Sequence, residues 1–118
     1  MTVRSLAALA AIAMVTSPAA AQEVATPAEN LDCAIWAANL AGSVEETSED
    51  MAAFGMIMTW FIGLYEGQVG RDIDEPLAAR SRELTDADFE AIGERCLPRM
   101  AAFGNRLTVL GDKLQAAK

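Results

Sequence analysis

The feature that most constrains the fold is an uncharged run of fifteen residues, MAAFGMIMTWFIGLY, at positions 51–65. A helix needs about 20 apolar residues to cross a bilayer, and this run is shorter. It is therefore predicted to be a buried core helix. Its start is marked by Thr47 and Ser48, whose hydroxyls can accept a backbone hydrogen bond, and by Glu49 and Asp50, which favour the positive end of a helix dipole.

Small residues recur every four positions along this run and just past it, at Gly55, Thr59, Gly63 and Gly67. A glycine inside a helix costs about 1 kcal/mol relative to alanine. We therefore expect a compensating role, either close packing of a second helix or room for a ligand, and we favour packing. The stripe and its aromatic neighbours form a candidate binding surface made of Phe54, Trp60, Phe61, Gly63, Tyr65 and Gly67.

The first 21 residues are predicted to be a secretory signal peptide. Arg4 supplies the positive start, residues 6–15 form a short apolar segment, and a small-residue cleavage site ends at Ala21. Cleavage would release a periplasmic protein with one small domain. We expect a flexible lead-in over residues 22–30 and a helical domain over residues 31–118.

The mature chain is strongly acidic. Removal of Arg4 with the signal peptide leaves eight bases against seventeen acids, a net charge of −9. Such a surface repels nucleic acids and anionic lipids. We expect protein partners, or a second copy of the chain in a homodimer, and we expect neither nucleic-acid binding nor a membrane span after cleavage.

Apolar residues recur at helical spacing through the rest of the chain, and no alternating strand pattern appears. A first helix is predicted over Leu31–Ala41. A turn at 67–71 separates the central helix from a short one that begins at Asp74, with Pro76 in its first turn, and ends near Leu84. The predicted fold is all-α, a small single bundle of about four helices around a buried central helix.

The last helix is predicted to open at Thr85 and to continue to the C-terminus. Pro98 lies inside it and should kink it near Glu94, because proline cannot donate to the preceding turn. One apolar stripe runs along its whole length: Phe89, Ile92, Cys96, Met100, Phe103, Leu107, Leu110 and Leu114.

The two cysteines, Cys33 and Cys96, are predicted to form a disulfide, as expected in a small exported domain. Each lies on the apolar face of its helix. The bridge would close a loop of about 64 residues and stabilise the fold by about 4 kcal/mol in the chain-entropy model.

Several kinds of chemistry are missing from the sequence. It has no histidine, which excludes histidine-based triads and HExxH zinc sites. Asp72, Asp74 and Glu75 lack the further ligands and the glycine of a calcium-binding loop, and no phosphate-binding glycine motif follows a strand. We therefore expect no catalytic residues, no metal, no cofactor and no enzymatic activity.

A cysteine in the first helix, a central WFIGLYEG sequence and a cysteine in a late helix resemble the small periplasmic proteins around the acid-stress chaperone HdeA. Immunity proteins of type VI secretion have a similar layout, and exported alphaproteobacterial proteins share the DCAxWA and IGxYEG motifs. The matching residues are Cys33, Trp60, Gly63, Tyr65, Glu66, Gly67 and Cys96. The chain departs from HdeA in a longer interval between the cysteines and in having only Lys113 and Lys118 near its C-terminus.

The HdeA resemblance implies a helical fold, the Cys33–Cys96 bridge and an acid-responsive chaperone that binds partners through apolar surface. Two alternatives belong to other classes. The first is an immunity-type inhibitor of one toxic enzyme, and the second is a binder of a small apolar ligand beside Trp60 and Tyr65. A deep apolar cavity next to Gly63 would favour the ligand binder.

Overall fold

The computed structural model of the protein describes residues 24–118, and this part of the chain forms four α-helices and no strand. The helices are α1 (Pro27–Gly42), α2 (Glu49–Val69), α3 (Asp74–Ser81) and α4 (Asp86–Ala116). The all-α prediction is confirmed. The predicted signal peptide lies outside the described residues. None of these four helices combines the length and the apolar character needed to cross a membrane.

Helix α1 begins earlier than the sequence analysis predicts. Thr26 caps it through a reciprocal pair of hydrogen bonds: its hydroxyl accepts from the Glu29 N–H at 3.2 Å, and the Glu29 carboxylate accepts from the Thr26 N–H at 2.7 Å. Pro27 occupies the first helical position, where its missing N–H costs nothing. The predicted flexible lead-in over 22–30 is therefore wrong for residues 27–30, which are helical.

Helix α2 contains the whole uncharged run and starts where its cap predicts. The Ser48 hydroxyl accepts a hydrogen bond from the Met51 N–H at 3.2 Å. The helix ends at Gly70, whose φ of 76° lies in the left-handed region that glycine adopts without strain. The predicted turn at 67–71 is wrong for residues 67–69, which continue α2.

The last two helices begin where they are predicted to begin, and α3 differs from the prediction at its end. Helix α3 stops at Ser81 rather than near Leu84, and Asp74 is its first helical residue, with Ile73 at the N-cap position. Helix α4 opens at Thr85 through a second capping box, with Asp88 as the reciprocal partner. It runs continuously through Pro98 as one helix. The kink near Glu94 stays a prediction.

Helix α1 is the best-covered element, because it packs against each of the other three helices. Its buried residues are Asn30, Cys33, Ala34, Ile35, Trp36 and Ala37. Helix α2 buries only Ile57, Phe61 and Tyr65, which lie one turn apart on a single face. The prediction of a buried central helix therefore holds for one face of α2 only.

The predicted disulfide is confirmed. The Sγ atoms of Cys33 and Cys96 lie 2.02 Å apart and their Cα atoms 5.6 Å apart. Both residues are almost fully buried, so the bond joins α1 to α4 inside the core. Ile92 packs one turn before Cys96 and is buried as well.

The glycine stripe of α2 is not a packing surface, which contradicts the interpretation favoured above. A Cβ placed on Gly55, Gly63 or Gly67 would meet no atom within 4 Å. The close approach is instead at Gly93 of α4, where a Cβ would lie 2.8 Å from Nε1 of Trp36. The regular spacing of glycines along α2 therefore did not indicate where a glycine is needed for packing. That position is Gly93, where the Trp36 side chain leaves no room for a Cβ.

An ion-pair cluster braces α1 against α3 and α4. Arg80 binds both oxygens of Asp32, with Nε 2.8 Å from Oδ1 and Nη2 3.3 Å from Oδ2. Arg95 of α4 lies 3.9 Å from the same carboxylate. The hydrogen bonds that Arg80 donates to the Asp32 carboxylate raise the pKa of Arg80 above its usual value.

Candidate apolar binding groove

An apolar groove of about 290 Å³ lies between the first half of α2 and the second half of α4. We call it the α2–α4 groove. Its walls contain no charged side chain and are formed by Ala53, Phe54, Met56, Ile57, Met100, Gly104 and Leu107.

Helical spacing places these residues in two facing rows. Ala53 and Ile57 are four residues apart on α2, and Met100, Gly104 and Leu107 are four and three apart on α4. Residues at such intervals lie on the same side of a helix. Gly104 has no side chain and is open to solvent, so it leaves space between Met100 and Leu107.

An aromatic stack joins the two helices next to the groove. One turn after Ile57, the ring of Trp60 lies 4.4 Å from that of Phe103, with 6° between the ring planes. Trp60 also contacts Phe61 at 4.9 Å in a tilted arrangement. Such aromatic pairs add about 0.5–1.5 kcal/mol to the area they bury, so they fix α4 on α2 at this point.

Arg99 lies behind this stack as a half-buried cation. Its guanidinium carbon is 5.0 Å from the Phe61 ring centre and 5.8 Å from that of Trp60, close enough for cation–π attraction. One N–H donates to Sγ of Cys33 at 3.4 Å and another to Oδ1 of Asn30. Within residues 24–118 no carboxylate forms an ion pair with Arg99. Burial lowers the pKa of Arg99 below its usual value.

Arg99 belongs to a series of hydrogen bonds that continues through Asn30 and Gln68. Asn30, which is 1 % exposed, donates to the Gln68 side chain at 2.7 Å, and Gln68 donates to the Ala25 carbonyl at 2.7 Å. In the described part of the chain no buried side-chain nitrogen or oxygen lacks a partner. This network holds the start of α1 on α2 and α4, and we assign it a structural role.

The apolar stripe of α4 continues beyond the core into solvent. Ile92 and Cys96 are buried and Met100 and Phe103 are half-buried. The stripe then runs on as three exposed leucines, which we call the C-terminal ridge: Leu107 at 38 %, Leu110 at 44 % and Leu114 at 69 % exposure. The apolar stripe of α4 therefore leaves the core over its last third, because no helix among residues 24–118 covers it.

The predicted binding surface is divided by the structure. Phe61 and Tyr65 are buried in the core, so they are not available to a partner. Trp60 is half-buried in its stack with Phe103, and Gly63 and Gly67 face open solvent.

Of that surface, only Phe54 lines the groove. The predicted surface omitted Met56, and it also omitted Met100 and Leu107, which were predicted only as part of the apolar stripe of the last helix. The absence of charge along one side of both helices was the signal that could have identified them.

Charges of opposite sign lie beside the groove and along the ridge. Glu49 and Asp50 precede Ala53 and Phe54 by one turn on α2, and both acids are exposed. Residues 24–95 carry fifteen acids and four bases, whereas residues 96–118 carry one acid and four bases. The chain therefore combines an acidic body with a basic end of α4.

A second depression, of about 390 Å³, lies over the start of α3 and is wide open to solvent. Its lining mixes charges and small residues: Arg71, Asp72, Glu75, Pro76 and Ala79. None of the predicted binding residues belongs to it. Among residues 24–118 no three side chains of the metal-binding types come together to form a metal site.

Comparison of the chain with models of known protein families, with curated protein sequences and with solved structures finds no match. The resemblance to HdeA and to immunity proteins therefore stays a prediction that is based on short motifs.

Proposed function

We propose that the protein is exported to the periplasm and binds apolar segments of partner proteins in the α2–α4 groove. The acid-responsive chaperone is the specific form of this role that we favour. The observation that carries the proposal is the groove itself, an uncharged surface between two long helices that continues into the exposed C-terminal ridge. Surfaces of this kind, with a polar surround, are typical of protein interaction sites.

Export is supported by the disulfide and by the predicted signal peptide. Disulfides form and persist in oxidising compartments such as the periplasm, and the bond here is buried within the core. Its position between α1 and α4 ties together two helices that are far apart in the sequence.

A response to acid is supported by the two capping boxes. The hydrogen bond from the Thr26 N–H lowers the pKa of Glu29, with smaller contributions from Arg99 and Arg95. The bond from the Thr85 N–H lowers the pKa of Asp88 in the same way, with a contribution from Arg80. The stability that these groups confer is present above their unfolded pKa, about 4, and is lost as pH falls through the lower folded values. Strong acid would thus loosen the starts of α1 and α4 together.

The shape of the groove favours a protein segment over a small ligand. Ligand pockets usually have volumes of about 300–1,000 Å³ and enclose most of the ligand. The α2–α4 groove is at the lower limit and open along its length, and Gly63 faces solvent instead of a cavity. An apolar helix or extended segment can lie along such a groove and contact both walls.

Protection of an unfolding protein tests this proposal. Malate dehydrogenase would be aggregated by heat at neutral pH and by acid at about pH 2–3, with light scattering as the readout. We expect the wild type to suppress aggregation and Met56→Glu, which places a charge in the groove, to lose most of this effect. Val109→Glu is the matched control, because Val109 is equally exposed, 51 % against 54 %, but lies outside the groove. Equal activity of the two variants, or no protection by the wild type at either pH, would contradict the proposal.

Export is tested separately by intact mass of the protein from periplasmic extract. The expected species begins at Gln22. A protein that keeps Met1 and stays in the membrane fraction would show that the signal peptide prediction is wrong.

A further inference from the structure

We infer that the α2–α4 groove of the free protein is occupied by the basic C-terminal end of α4 from a second copy of the chain. In the resulting two-fold dimer each copy places its C-terminal ridge against the groove of the other. This inference goes beyond the proposed function, because it concerns the protein alone and stands whether or not other proteins are bound.

The two surfaces match in apolar character. The α2 wall of the groove presents the exposed Met56 and the half-buried Phe54, and the ridge exposes Leu110 and Leu114. The two are continuous, since Leu107 belongs to both. A two-fold operation brings the same patch of each subunit into contact, so one continuous patch that holds both a groove and a ridge can be self-complementary.

The two surfaces also match in charge. Arg106 and Lys113 flank Leu110 on α4, four residues before it and three after it, and therefore lie on its side of the helix. Glu49 and Asp50 lie four residues before the groove residues Ala53 and Phe54, and therefore on the same side of α2 as these residues. No ion pair in residues 24–118 joins these acids to these bases within one chain. If the ridge of one copy lay in the groove of the other, the acids beside the groove would pair with the bases of the ridge.

The charge pattern also favours a second copy over a membrane as the occupant of the groove. An amphipathic basic helix can bind anionic lipid. Here the four exposed acids of residues 45–50 lie beside the groove, and fifteen of the sixteen acids in residues 24–118 lie before Cys96. An anionic bilayer would repel this body, whereas a second copy supplies both signs of charge at once.

The test uses two charge-reversed variants and their mixture in sedimentation velocity. Variant one carries Arg106→Glu and Lys113→Glu, so its ridge is acidic. Variant two carries Glu49→Lys and Asp50→Lys, so its groove rim is basic. We expect the wild type to dimerise, each variant alone to dimerise at least about tenfold more weakly, and the equimolar mixture to form a mixed dimer of near wild-type affinity. Raising the salt concentration should weaken the wild-type dimer.

A wild type that stays monomeric at all concentrations would overturn the inference, as would a mixture that dimerises no better than its components. A monomer that binds vesicles of phosphatidylcholine and phosphatidylglycerol would instead identify a membrane as the occupant. Protection of malate dehydrogenase by a purely monomeric wild type would leave the proposed function standing and refute only the dimer.

A second pair of variants, each with a single substitution, covers the case in which a double charge reversal prevents folding. Leu110→Asp changes the ridge, and Val109→Asp changes the neighbouring position on another side of α4, where exposure is similar. Circular dichroism confirms that each variant is helical. We expect only Leu110→Asp to reduce dimerisation, and equal dimerisation of the two folded variants would overturn the inference.

Discussion

Gly63 and Gly93 are interior glycines of two helices, and replacing each by alanine should change stability in opposite directions. The surroundings of Gly63 are empty, because a Cβ at this position would have no atom within 4 Å, whereas a Cβ on Gly93 would lie 2.8 Å from Nε1 of Trp36. Gly63→Ala should therefore stabilise the protein by about 0.5–1 kcal/mol, the usual gain in helix propensity.

Gly93→Ala gains the same propensity but must displace a buried indole. Trp36 is 9 % exposed and cannot swing out without opening the core. Overpacking of this kind costs about 1–3 kcal/mol, which exceeds the propensity gain over most of that range. Since the propensity gain cancels between the two variants, their difference isolates the packing cost. It should appear as a gap of at least about 4 °C in Tm, with Gly93→Ala lower.

Thermal unfolding followed by circular dichroism measures this gap, and urea unfolding gives the free energies. Trp36→Phe supplies the control, because phenylalanine lacks the Nε1 atom that the new methyl group meets. In that background Gly93→Ala should lose much of its cost, which a double-mutant cycle reports as a coupling energy. The reasoning is refuted if Gly93→Ala melts at or above Gly63→Ala.

Three further predictions concern the bonds that hold the helices together. Cys33→Ser should lower the free energy of unfolding by about 4 kcal/mol, and thiol titration of the unreduced, unfolded wild type should find no free thiol; two titratable thiols would contradict the bridge. Asp32→Asn should cost about 1–2 kcal/mol in urea unfolding, because it weakens the contacts to Arg80, and no loss would mean that solvent screens this pair. Glu29→Gln combined with Asp88→Asn should make the decline of Tm between about pH 5 and 2 less steep, because the two carboxylates with lowered pKa are no longer there to be protonated. An unchanged decline would assign the acid response to other groups.

The sequence predicted the parts of the fold that depend on local chemistry. Ser48 and Thr85 are found at the helix starts because capping requires only a side-chain oxygen and the N–H two or three residues later. The early start of α1 had the same kind of signal, in the spacing of Thr26 and Glu29, and was missed because an apolar stripe was used to define the helix. The disulfide followed from two cysteines on apolar faces.

The parts that were wrong depend on which helix covers which face. Helical periodicity places Met56 and Phe61 on an equally apolar α2, but Phe61 is completely buried in the core, whereas Met56 is 54 % exposed on the groove wall. Leu114 likewise continues the apolar stripe of α4, but it is 69 % exposed because no helix among residues 24–118 covers it. Periodicity describes one helix at a time, so it could not show where α2 and α4 separate and leave a groove.

Site-specific photo-crosslinking tests most directly whether the groove binds partner proteins. A photoreactive phenylalanine analogue at Met56 would report on the groove, and the same analogue at Val109 would report on an equally exposed position outside it. Illumination of the folded protein with unfolding malate dehydrogenase should give crosslinked product from position 56 and little from position 109. Equal crosslinking from both positions, or crosslinking from position 109 alone, would contradict the assignment of the groove as the binding surface.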